Sequence, residues 1–190
     1  MRSTPISLLE RLRDPWEQKA WGQFVELYTP LLFSWARRTG LQESDAADLV
    51  QDVLIVLVQK LPEFHYDQGG SFRAWLRTIT LNKWRDRQKR ARLPVQGDGR
   101  DLAEHPEPEP AAFLEEAEYR RALLARALEL LRREVQPTTW AAFEAHGLQG
   151  RPAAEVAREV GLGVGAVYAA KFRIMSRLRE ELRGLLDESP

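Results

Sequence analysis

The segment Ala153 to Phe172, AAEVAREVGLGVGAVYAAKF, constrains the fold of this chain more than any other stretch. Two short helices that meet at a sharp corner need a small residue where their backbones touch, and Ala157 supplies it. Four positions later the turn needs a residue tolerant of positive φ, and Gly161 supplies that. Val167 can pack the second helix back onto the first, with Val156, Val160 and Leu162 filling the rest of a small core. Val167, Ala170, Ile174 and Leu178 then form a buried stripe at helical spacing. The opposite face carries Ala166, Ala169, Arg173 and Arg177, flanked by Lys171 and Arg179. Small residues near a helix N-terminus let its backbone enter a major groove. Basic residues further along reach phosphates or guanine edges. A two-helix corner of an ordinary bundle has the same core pattern. The four bases and no acid from Lys171 to Arg179 favour a nucleic-acid partner over that reading. The duplex-facing candidates are Val164, Gly165, Ala166, Tyr168, Ala169, Lys171, Arg173 and Arg177.

The rest of the chain also reads as helix, with no convincing strand alternation and no internal repeat, so the expected class is all-α. Asp14-Pro15-Trp16-Glu17 resembles a helix start, with Asp as N-cap and Pro in the first position. An apolar stripe from Ala20 to Tyr28 follows. Pro30 is expected to interrupt it, with a separate helix over 31–39 ending at Gly40. Ser44 can cap a helix over 45–61, which Pro62 stops. Ser71 can cap another, from Phe72 to about Arg92, after the aromatic and glycine-bearing loop EFHYDQGGS. Residues 93–111 hold four prolines and several acids and read as an extended linker. Helices are then expected over 112–133, 137–146, 152–160 and 164–185. This gives two small helical domains, 1–92 and 112–186, on either side of the linker.

Net charge is zero, but its distribution is uneven. Arg73 to Arg92 carries eight basic residues and one acid, whereas Pro94 to Glu118 carries eight acids and one base. Local patches, not the total, set attraction to phosphates. There is no cysteine, and the three histidines are scattered, which removes disulfides, thiolate metal sites and cysteine nucleophiles. No nucleotide-binding loop or nucleophile–base pair stands out, so no enzyme activity, catalytic residue, metal or cofactor is expected. The N-terminus lacks a signal-peptide pattern and no apolar run is long enough to span a membrane, which favours a cytoplasmic protein.

The order DAADLVQDVLIVLVQKL, then PEFHYDQGGSFRAWLRTITLNKWRDRQKR, resembles the second conserved domain of the sigma-70 family of bacterial RNA polymerase sigma factors. The helix-turn-helix resembles that family's fourth domain. Two such domains and a short linker are the layout of the extracytoplasmic-function (ECF) type. The resemblance covers roughly residues 15–92 and 115–185. It implies a factor that binds core RNA polymerase and directs promoter-specific transcription initiation. The helix from Asp45 is similar to the surface that docks on the polymerase, with Asp45, Asp48, Leu49, Gln51 and Asp52 as its residues here. The following loop and helix are similar to the part that melts and reads the −10 element. Its candidates are Phe64, His65, Tyr66, Asp67, Gln68, Gly70, Ser71, Arg73, Arg77, Asn82, Lys83 and Arg85, with Arg87, Lys89 and Arg90 as further phosphate holders. Capture of an unstacked base by a loop pocket or an aromatic face offsets the cost of opening the duplex. Phe72, Trp75 and Trp84 could stack or pack.

The helix-turn-helix would read the −35 element as duplex. Many members of the family are held inactive by an anti-sigma factor, which makes one an implied partner. One departure stands out: Gly163 occupies a position where many relatives carry Ser, Thr or Pro, so helix capping is weaker here. The alternatives are a stand-alone helix-turn-helix regulator with a helical partner-binding domain, and a helical adaptor without DNA contact. The melting-type loop argues against the first, and the basic run from Arg73 to Arg92 against the second.

Overall fold

The computed structural model describes residues 7–64, 71–92 and 115–186, and they fold almost entirely as helix. The α-helices are α1 (Leu8–Arg11), α2 (Gln18–Arg38), α3 (Glu43–Lys60), α4 (Phe72–Arg92), α5 (Glu116–Glu134), α6 (Pro137–Ala142), α7 (Ala153–Val160) and α8 (Val164–Leu182). A 3-10 turn, Leu61–Glu63, follows α3, and a π-helical turn, Phe143–Leu148, continues α6. The described residues form two compact units, one of residues 9–123 and 184–186, the other of residues 7–8 and 124–183. The division falls inside α5. The stretch expected as linker lies outside the described residues.

In the first unit, α3 packs between α2 and α4. The core is built from Phe24, Tyr28, Leu32 and Trp35 of α2, Leu49, Val53 and Leu57 of α3, and Phe72 and Leu76 of α4. Phe24 stacks on Tyr28 with ring centroids 4.5 Å apart, and Phe72 presents its edge to both, at 6.1 and 5.7 Å. Such arrangements place positive ring edges on negative ring faces. Pro30 does not divide α2 as its local chemistry suggested; the helix runs through it. Leu27, Tyr28, Leu31, Leu32 and Trp35 continue one buried stripe across the proline. Continuous burial on the core side offsets the lost backbone hydrogen bond, while the exposed proline ring faces out. The Asp14 motif is a turn that precedes the helix rather than its cap. The Asp14 carboxylate accepts from the Trp16 backbone N–H at 2.9 Å, and α2 begins at Gln18.

In the second unit the small core of the helix-turn-helix is Ala142, Ala153, Val156, Ala157, Val167 and Ala170, with Ala145, Val160 and Leu162 packed against it. Gly161 ends α7 in the left-handed region, at φ 69° and ψ 31°. The Leu162 N–H then donates to the Ala157 carbonyl at 2.9 Å, closing the turn. Gly163 occupies the N-cap of α8 without a side-chain cap. The π-helical turn is held by Phe143, which is fully buried and edge-on to Trp140 at 5.4 Å. A Cβ at Gly147 would come within 2.7 Å of the Phe143 ring, so the turn requires glycine there.

Candidate polymerase and nucleic-acid interfaces

Three exposed surfaces carry the residues that the sequence singled out. The first is on α3. Asp45, Asp48 and Gln51 are exposed and Asp52 is half-buried. Leu49 is a correction: it is 1% exposed and belongs to the core, so it can support this face but cannot touch a partner. The apolar part of the face lies further along. Asp48, Gln51, Ile55 and Val58 recur at spacings of three and four, and Ile55 and Val58 are 57% and 43% exposed. Nothing in the local sequence separates these two residues from core positions, because the whole run from Val53 to Val58 is apolar.

The α3 acids are not free. Arg87 of α4 donates to Asp52 at 2.9 Å and to Asp48 at 3.2 Å, and lies 4.0 Å from Asp45. Partial burial works to lower the Arg87 pKa. Hydrogen bonds and charge from Asp52 and Asp48 outweigh it, and the net shift is upward. Arg87 therefore ties α4 to α3, its guanidinium engaged by carboxylates rather than standing free as its place in a basic run suggested.

The second surface is on α4. Ser71 does cap the helix, its Oγ accepting from the Ala74 N–H at 3.0 Å. Ala74, Thr78, Asn82, Arg85 and Lys89 form one exposed stripe. Asn82 accepts from Arg85 at 3.5 Å, and Lys83 is half-buried beside the stripe. Phe72 and Trp84 are buried and serve packing. Phe64 and Trp75 are half-buried, with ring centroids 4.6 Å apart, and Phe64 also meets Phe72 edge-on. Phe64 is thus anchored to the aromatic core instead of standing free in the loop. Arg73 lies over the Tyr119 ring, 5.3 Å from its centroid, and Arg77 is half-buried. His65, Tyr66, Asp67, Gln68 and Gly70 lie outside the described residues.

The third surface is the outer face of α8. Val164, Gly165, Ala166, Tyr168, Ala169, Lys171 and Arg173 are all exposed. Arg177 is a correction. It pairs with Glu134 of α5 and, at 2.9 Å, with Glu181 one turn away. Burial opposes its charge, but these two acids still raise its pKa. Arg177 fastens α8 to α5 through these carboxylates. Phe172 takes part in that face, at 71% exposure, and was not singled out as a contact. Its spacing carried the signal: Val164, Tyr168 and Phe172 follow one another at intervals of four. His146, in the π-helical turn, meets Tyr168 edge to face at 5.1 Å, and its Nδ1 is 2.7 Å from the Arg151 carbonyl oxygen. Among the described residues there is no metal-binding cluster and no helix long and apolar enough to cross a membrane.

The family model for sigma-70 region 2 matches residues 24–93, which hold the first two surfaces. The chain is 34% identical to the RNA polymerase sigma factor CnrH of Cupriavidus metallidurans, over 90% of this chain and 88% of that protein. It is 26% identical to the ECF sigma factor RpoE of Cereibacter sphaeroides, over 95% and 96%. A solved structure of CnrH with the cytosolic domain of CnrY aligns over 96% of this chain and 97% of that one, at 26% identity and a TM-score of 0.37. With a relative matched at this level along nearly its whole length, the chain belongs to the sigma-70 family of RNA polymerase sigma factors, in the extracytoplasmic-function group.

Proposed function

We propose that this protein binds core RNA polymerase in the cytoplasm and directs it to promoters. The observation that carries the reading is the sorting of chemistry by surface. The α3 face is acidic and apolar, which suits a basic protein partner with apolar contacts. The α4 stripe offers Arg85 and Lys89, and the outer face of α8 offers Lys171 and Arg173 among apolar side chains, with no acid in either, which suits nucleic acid.

In this reading Asp48, Gln51 and Asp52, with Ile55 and Val58, form the polymerase contact. Thr78, Asn82, Arg85 and Lys89 line the path of the −10 element, together with His65, Tyr66, Asp67, Gln68 and Gly70. The outer face of α8 enters the −35 duplex. Residues 1–92 thus serve polymerase and −10 element, 93–111 join, and 112–186 serve the −35 element.

The test is reconstitution. The full chain is added to bacterial core polymerase with a genomic library from its own source, and transcript start sites are mapped. Specific starts that share an upstream sequence are the expected result. Absence of polymerase binding would overturn the reading.

A further inference from the structure

The outer face of α8 has an unusual chemical composition for a reader of base edges. From Val164 to Ile174 the sequence is VGAVYAAKFRI, with no Asn, Gln, Asp, Glu, Ser or Thr. The major groove offers each base pair a distinct set of groups. Adenine presents an acceptor and a donor together, and Asn or Gln matches both. Cytosine presents a donor, which Asp or Glu accepts. Guanine presents two acceptors, which Arg or Lys matches. Thymine presents one acceptor and a methyl group, which apolar side chains contact. This stretch therefore lacks the side chains that pair with adenine and cytosine, and is rich in those for thymine and guanine.

The structure shows which side chains are available for it. Val164, Tyr168 and Phe172 are 43%, 56% and 71% exposed, on successive turns of one face. Gly165 and Ala169 lie between them and are exposed as well, so the backbone can approach closely. Tyr168 is steadied by the His146 ring, which is itself held through its hydrogen bond at the Arg151 carbonyl. Arg173 is exposed, and no acid among the described residues pairs with it, whereas Arg177 is occupied by Glu134 and Glu181.

We propose that α8 selects its duplex through thymine methyl groups and guanine. Tyr168 and Phe172, with Val164 and Ala169, contact the methyls, and Arg173 reads guanine O6 and N7. Specificity then resides in the contacted thymines and guanine, and the bases opposite them are selected only through pairing. The proposal rests on the reading that α8 faces the −35 duplex.

The experiment uses the full chain bound to core polymerase and a randomised duplex library. The expected result is an enriched upstream block that contains guanine and thymine positions sensitive to the substitutions below. Replacing its thymines singly with deoxyuridine removes one methyl each, and should weaken binding about fourfold at the contacted positions. 7-Deazaguanine at the guanine should weaken it about tenfold in the parent and leave Arg173→Ala unaffected. In Tyr168→Ala and Phe172→Ala the deoxyuridine penalty should shrink at different positions, a readout that general weakening of the fold does not produce. An enriched block insensitive to deoxyuridine at every thymine overturns this inference and leaves the promoter-binding reading standing. No enriched upstream block at all overturns both.

Discussion

The hydroxyl oxygens of Tyr28 and Tyr119 lie 2.8 Å apart in the core of the first unit. The Tyr119 hydroxyl also lies 2.8 Å from the Leu185 carbonyl oxygen. A carbonyl can only accept, so the single Tyr119 hydrogen is committed to Leu185, and Tyr28 must donate to Tyr119. The relay thus has a direction. Tyr119→Phe removes both the Tyr28–Tyr119 bond and the Tyr119–Leu185 bond, whereas Tyr28→Phe removes one donor and leaves the Leu185 bond in place. Urea unfolding followed by tryptophan fluorescence should show Tyr119→Phe costing about 2–3 kcal/mol and Tyr28→Phe about 1 kcal/mol. The double variant should cost less than the sum, because the two residues share a bond. Equal costs for the single variants would contradict the direction of the relay.

Arg87 separates two roles for the α3 acids. If Asp48 and Asp52 contact the polymerase directly, then freeing them from Arg87 leaves that contact intact or strengthens it. Arg87→Ala should lower stability by about 1 kcal/mol, since these are partly exposed ion pairs. Its affinity for core polymerase should match or exceed the parent's, while Asp48→Ala and Asp52→Ala lose affinity. Arg87→Lys should recover only part of the stability, because an ammonium does not present the fork that reaches two carboxylates. Competition binding with fluorescently labelled parent protein measures this. Equal loss of affinity in Arg87→Ala and Asp52→Ala would mean that the acids act through the architecture of α3 and α4.

These ion pairs also mark where the sequence stopped being legible. The helix-turn-helix was readable because its requirements are local: Ala157, Gly161 and Val167 lie within eleven consecutive residues. Arg87 could not be assigned in the same way, since its partners Asp48 and Asp52 are 39 and 35 residues away. In sequence it was one more base in a basic run. Pro30 misled for the opposite reason: its local effect is real, but burial along the rest of α2 outweighs it. Leu49 and Ile55 are both aliphatic residues of an apolar helix, and only the packing of α2 and α4 decides that the first is buried and the second exposed.

Arg173 and Arg177 are one turn apart on α8 and should behave differently. Arg177 pairs with Glu134, 43 residues away in sequence, and with Glu181. Arg177→Ala should reduce stability by about 1 kcal/mol and preserve the sequence preference of promoter binding. Arg173→Ala should leave the unfolding midpoint nearly unchanged and reduce discrimination between matched and mismatched −35 elements by about tenfold. Both variants can be measured by thermal unfolding and by competition binding of the polymerase complex. A loss of sequence preference in Arg177→Ala without loss of stability would show that its ion pairs open on DNA.

The two glycines of the turn should respond to a side chain with opposite signs. Neither has any atom within 4 Å of where a Cβ would sit, so space does not distinguish them. The backbone does. Gly161 is at φ 69°, where an L-residue is strained, and Gly161→Ala should destabilise the protein by about 1 kcal/mol. Gly163 is at φ −73° and ψ 151°, an extended conformation open to any residue, and it is the N-cap of α8. A serine there can accept from the unsatisfied N–H groups of the first turn and narrows the unfolded ensemble. Gly163→Ser should therefore stabilise the protein by about 0.5–1 kcal/mol. Chemical unfolding of both variants checks the pair. Destabilisation by Gly163→Ser would mean that the turn needs glycine for something other than its backbone conformation.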